Sequence, residues 1–252
     1  IRTLDDIKSA IEDTKEDIKK RSDDARLYGK LGDLYRRSEN YTESKKAFED
    51  AAKLDPANPH WRFKLDDLEI WKWSREINEL ARKYKAGDHS VRDEYAKRRA
   101  ELLDFRLKSY LEREKQYSTD GRIRFELGNI YFDLAESKKD VSLYDQAILR
   151  FQIIYPDPNY RHQAGLRMGL GFARKGQFDL ALKRLDETLG TLEIKDERWK
   201  NLVYAKADTL ERAGRKQEAL QAFLQIYELD VAFQDVSKRV EKLQQEGVQA
   251  PG

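Results

Sequence analysis

The residues best suited to metal or acid–base chemistry are His60, His89 and His162, the chain's three histidines, and they lie far apart. Metal sites draw on His, Cys and carboxylate ligands at short, regular spacings. No cysteine is present, so thiolate ligation and disulfides are excluded. No His-containing metal motif, Gly-rich phosphate loop or nucleophile elbow occurs. Carboxylates three or four apart, such as Glu16 with Glu12 or Asp13, share a helical face, but in a chain that is 38% charged such pairs arise by chance. No catalytic residue, cofactor site or metal site is therefore expected, and the chain reads as non-enzymatic.

Binding chemistry is easier to find. Trp61, Trp71 and Trp73 stand on one segment, where Phe63, Ile70, Trp73 and Ile77 form one helical stripe and Trp61, Leu65 and Leu68 another, with Trp71 near the second. Apolar residues on two faces suit a helix packed on both sides. The sharper reading makes Trp71 and Trp73 candidate aromatic anchors, partly exposed, of the kind that dominates interfaces. The basic run Lys97-Arg98-Arg99 could meet phosphate, yet Asp93, Glu94, Glu101 and Asp104 interleave with it, as on a solvated helical edge. Lys and Arg number 49 against 47 Asp and Glu, a formal charge of +2, far from the basic excess of a dedicated nucleic-acid binder. Nucleic acid is not the expected partner.

These residues must be held by thin elements with much surface, because only 39% of the 252 residues are hydrophobic. No apolar run approaches the roughly 20 residues that a membrane-spanning helix needs. The start at Ile1 has neither a basic flank nor an apolar signal core, and the chain reads as a fragment or processed form whose targeting signal lies elsewhere. The compartment stays open, with a soluble protein expected and the cytoplasm slightly favoured.

The clearest organisation is at 25–56: Tyr28-x2-Leu31-Gly32-x2-Tyr35, then Ser44-x3-Phe48 with Ala47 and Ala51 around it, then Asp55-Pro56. This resembles the 34-residue tetratricopeptide repeat, a helical hairpin whose first helix needs a small residue where its partner crosses. With Gly32 as a ruler, the position recurs at Asp66, Gly128, Gly169 and Ala207, at intervals of 34, 62, 41 and 38 residues. The third copy has Phe125-x-Leu127-Gly128-x2-Tyr131 with Ala147-x3-Phe151, and about seven extra residues near 137–143. The fourth has Met168-Gly169-x2-Phe172, Gly176 and Ala181-x3-Leu185; the fifth has Tyr204, Ala207, Leu210, Gly214 and Ala219-x3-Phe223. The later part, from Phe125 through Gln245, also resembles tetratricopeptide scaffold proteins of bacteria.

The resemblance implies an all-α, right-handed superhelical solenoid of about five hairpins. The expected divisions are a leading helix at 1–21, left from an earlier repeat (Leu4, Ile7, Ile11, Ile18); a repeat at 24–58; an extended hairpin at 59–120; repeats at 121–158, 160–196 and 197–231; a capping helix at 232–246; and a flexible tail at 247–252. The capping helix follows from Val236, Val240 and Leu243 at helical spacing, with Lys238, Arg239, Glu241, Lys242 and Gln244 facing outward. The 62-residue interval exceeds the 34-residue unit by 28. Helices over 61–85 and 90–117, turned at Ala86-Gly87-Asp88-His89 and started by Ser90 with Asp93, absorb that excess. Shared equally at ~1.5 Å per residue, it projects the hairpin roughly 20 Å as a two-helix coiled-coil arm, with Ile77, Leu80, Ala81 and Tyr84 facing Val91, Tyr95, Leu102 and Phe105.

What the family implies for function is protein binding in a concave groove lined by first helices. Its groove-facing positions fall on Arg26, Asp33, Arg36 and Arg37, on Arg122 and Asn129, and on Gln163, Leu170, Arg174, Asn201, Asp208 and Arg212. Several arginines would suit an acidic segment or a terminal carboxylate. The family's chaperone-binding branch uses Lys, Asn and Arg; Asn129 matches one such position, but the companions do not, and that function is not carried over. The alternative is a structural subunit that pairs with a second copy through 61–117; RNA binding ranks below both.

Overall fold

Four of the five first helices of the hairpins begin where a short polar side chain can take up the free amides of the first turn, and the one after Tyr160 has no side-chain cap. Asp24, Asn58, Asp120 and Asp196 do this for the helices that follow them, and Pro59 stands at the first helical position after Asn58. The computed structural model describes residues 3–249. Among them are twelve α-helices and one 3₁₀ turn, with no strand. The chain divides into two compact units, Ile1–Ser109 and Tyr110–Gly252.

In the first unit, α1 (Leu4–Lys20) starts at Thr3 with a reciprocal capping box to Asp6. Its Ile11 is buried with Leu31, Leu34 and Ala47, and Ile7 and Ile18 are half-buried, whereas Leu4, expected on the same stripe, is exposed. The hairpin of α2 (Ala25–Arg37) and α3 (Tyr41–Leu54) closes where Gly32 meets Phe48; a Cβ at Gly32 would stand 2.6 Å from Phe48 Cε1. Ser44 Oγ donates to the Gly32 carbonyl at 2.8 Å and fixes the same crossing.

The long hairpin uses different chemistry. Its helices are α4 (Pro59–Lys85) and α5 (Arg92–Gln116), and the division between units falls inside α5. At the ruler position Asp66 accepts a hydrogen bond from the buried Ser109 Oγ at 2.6 Å, replacing the glycine–aromatic crossing by a polar one. Trp73 meets the Phe105 ring at 5.3 Å, and Tyr84 meets His89 at 5.3 Å near the turn. The start of α5 differs from the expected Ser90/Asp93 cap. Asp88 takes the Ser90 amide and opens a 3₁₀ turn, His89–Val91, which leads into the helix. Two residues earlier in the chain, Asp88 offers a carboxylate at the right reach, so Ser90 becomes the capped residue.

In the second unit the hairpins are α6 (Gly121–Lys138) with α7 (Leu143–Ile154), α8 (Arg161–Arg174) with α9 (Phe178–Leu189), and α10 (Glu197–Arg212) with α11 (Lys216–Tyr227). Gly128 receives Phe151, Gly169 receives Leu185, and Ala207 lies in one core with Phe223. α12 (Val236–Gln245) buries Val236, Val240 and Leu243 in that core. Of its expected outward face, Arg239 turns back, while Lys242 stays exposed. Arg239 bonds Glu211 (2.6 Å) and Asp208 (3.0 Å), and Lys242 reaches Glu211 at 3.1 Å, because long cationic side chains can bury their stems while the heads find carboxylates.

The turns share one geometry. Glu39, Lys139, Gly176 and Gly214 have φ of 62°, 54°, 73° and 80°, and the amide after each reaches back five residues, as in Asn40 to Tyr35 and Gln177 to Phe172. This is the left-handed helix end that glycine adopts without cost. Gly176 and Gly214 are therefore placed where the chain must reverse.

Candidate functional site

A cleft in the first unit lies between α2 and α4. Its floor is made by packing. Trp61, buried to 6% exposure, lays its indole on Gly29, where a Cβ would overlap Trp61 Cζ3, and donates Nε1–H to Asp55 at 3.2 Å. Leu34 continues the floor. The Asp55-Pro56 step of the repeat thus aims the indole, and glycine one turn ahead of the hairpin crossing lets it settle.

Charge lines the walls. Arg26, Lys30 and Arg37 come from α2, and His60 and Lys64 from α4. Lys64 Nζ bridges the cleft to Asp33 at 2.9 Å, and Arg26 Nε rests on Asp24 at 3.1 Å, holding that carboxyl below its usual range. His60 stands edge-on to Trp61 with ring centroids 5.0 Å apart. Lys30 and Arg37 are exposed, and among the described residues neither has a carboxylate partner. Arg36 lines an adjoining depression with Asp33, Phe48, Lys64 and Asp67, 4.0 Å from the Asp33 carboxylate. Cations around a small apolar floor make this surface complementary to a carboxylate-bearing segment.

Of the residues singled out by sequence, the structure brings Arg26, Asp33 and Arg37 to this cleft and Arg36 beside it. Lys30, His60, Trp61 and Lys64 were missed, although the ruler held the signal: His60 and Lys64 stand 34 residues after Arg26 and Lys30. Trp71 and Trp73 are half-buried; Arg75 lies over the Trp71 ring at 5.1 Å, and Trp73 packs on Phe105.

In the second unit, several singled-out residues link neighbouring helices. Arg174 donates to Glu136 at 2.7 Å, and Tyr144 donates to the same carboxylate at 2.6 Å. Burial alone would raise the Glu136 pKa, but these bonds hold it below the ordinary value. Arg212 donates to the Ala173 carbonyl at 3.2 Å and lies over Phe178 at 5.9 Å. Asn201 donates to the Glu197 carbonyl at 2.8 Å and accepts from Gln234 at 3.4 Å, while Asp208 accepts from Arg239. Arg122 and Gln163 are exposed, Leu170 is half-buried, and the enclosed Asn129 Oδ1 has no hydrogen-bond partner. His162 carries an enclosed, unpartnered Nε2, and burial with the nearby Arg198 and Arg161 charges lowers its pKa. Among the described residues no His, Asp and Glu cluster could hold a metal ion, and no helix is long and apolar enough to cross a membrane.

Two family models described as tetratricopeptide repeat match the sequence, one at residues 25–58 and one at 166–231. The chain carries tetratricopeptide repeats in both stretches. Solved structures of the same architecture include YrrB, a tetratricopeptide-repeat protein with an unusual peptide-binding site, at 14% identity over 91% of this chain and 97% of that one, with a TM-score of 0.57. MamA is similar at 16% identity over 92% of this chain and all of its own, with a TM-score of 0.53. At these identities the likeness is one of fold. No curated protein matches the sequence.

Proposed function

We propose that this tetratricopeptide-repeat chain is a non-catalytic interaction scaffold that captures an acidic segment of a partner protein in the α2–α4 cleft. The observation that carries this is the lining: Arg26, Lys30, Arg37 and Lys64 around Gly29, Leu34 and Trp61, with Asp33 as the one acid in the wall. Peptide capture by YrrB, on the same architecture, supports the reading by analogy. Exposed ion pairs contribute about 0.2–1 kcal/mol each, so three or four of them over a small floor give affinity of about micromolar or weaker.

The reading is tested by fluorescence anisotropy with a labelled Glu-rich peptide and a Lys-rich control of equal length. The acidic peptide should bind, weaken as salt rises, and lose its affinity in a Lys30→Glu/Arg37→Glu variant with unchanged melting temperature. Equal binding of both peptides, or full affinity in the variant, would overturn it.

A further inference from the structure

The cations of the cleft are not equivalent. Arg26 is engaged by Asp24 and Lys64 by Asp33, whereas Lys30 and Arg37 are without a carboxylate partner among the described residues. Seven residues separate them on α2, nearly two full turns, so they share one stripe about 10.5 Å apart along the axis. Between these poles the wall is neutralised by the Lys64–Asp33 bridge, and the floor is Leu34 with Trp61 on Gly29. The cleft therefore alternates along its length: cation, apolar and charge-neutral centre, cation.

We infer that it reads a motif of two carboxylates three residues apart, on an extended segment, with an apolar side chain between them. This rests on the assignment of the cleft to an acidic segment and adds the spacing. An extended chain in the polyproline II conformation rises about 3.1 Å per residue with three residues per turn. Residues i and i+3 then project on the same side about 9 Å apart, within easy reach of a Lys and an Arg 10.5 Å apart. One of the two intervening residues is turned about 120° from the acids, toward the floor. An α-helix, about 10–12 Å across, places residues i and i+7 about 10.5 Å apart, so the i,i+7 peptide is the competing ligand in the test.

The test uses the full chain and labelled peptides of equal length and net charge, followed by anisotropy at low salt. Two glutamates stand at i and i+3 with Leu between them, at i and i+3 with Ser in place of Leu, at adjacent positions, or at i and i+7. The first should bind about fivefold or more tighter than the adjacent and i,i+7 peptides, and about threefold tighter than the Ser version. Lys30→Ala and Arg37→Ala should each erase the spacing preference, while Lys46→Ala on α3 should leave it intact. Tightest binding of the i,i+7 peptide would replace the extended ligand by a helical one and overturn the inference. Equal binding of all acidic peptides would overturn the spacing but leave the acidic reading standing. Binding no stronger than that of a Lys-rich control would remove both.

Discussion

Trp61 and Gly29 show how one residue type licenses another. The indole can lie on α2 only because position 29 has no Cβ, and the contact shapes the cleft floor as well as the core. Gly29→Ala gains helix propensity of up to about 1 kcal/mol but drives a methyl group into a buried ring, an overpacking that costs about 1–3 kcal/mol. We expect a lower urea midpoint with an unchanged slope and weaker acidic-peptide binding. The control is Gly87→Ala at the α4–α5 turn: φ is 99° and nothing lies within 4 Å of the added methyl, so it should lose stability through backbone strain alone and leave peptide affinity intact.

At the scale of elements, the turns and α12 make separate predictions. Lys139 holds a left-handed conformation that Gly176 and Gly214 adopt freely. Lys139→Gly should therefore stabilise the protein by about 0.5–1 kcal/mol, read as a raised urea midpoint. Glu39→Gly should gain less, because the Arg75–Glu39 ion pair at 2.5 Å is lost with it. α12 is docked partly by charge. Burial would raise the Glu211 pKa, but bonds from Arg239 and Lys242 outweigh it and hold the pKa below 4.5. A depressed carboxylate contributes stability that is present above its unfolded pKa and lost as pH falls through the folded one. Amide protection in 236–245, corrected for the intrinsic pH dependence of exchange, should thus fall below about pH 4.5 more than that of α3. Glu211→Gln should show faster exchange already at pH 7 and a flatter pH response; an unchanged profile would refute the charge docking.

For the molecule as a whole, the hairpin arrangement was legible because it rests on residues that admit few substitutes. Gly32, Gly128 and Gly169 each stand where a partner side chain crosses, and Gly176 and Gly214 where the backbone takes positive φ. The long helices were legible through length and the absence of proline between Pro59 and Gly121. What sequence left hidden was decided by tertiary contact. Arg239 turns inward because Glu211 and Asp208 face it, and Arg174, Arg212 and Asp208 join helices. Half of the cleft was hidden for another reason: Trp61 and Lys64 join it only through their contacts with Gly29 and Asp33 on the neighbouring helix.

The Asp66–Ser109 pair, with Trp73–Phe105 and Tyr84–His89, ties the two arms of the long hairpin together at three heights. Residues between Ile77 and Leu102 can therefore be removed as equal two-turn blocks from both helices, keeping the lower ties opposed. A hairpin shortened in that way should keep its foot, and the cleft beside that foot, as they are.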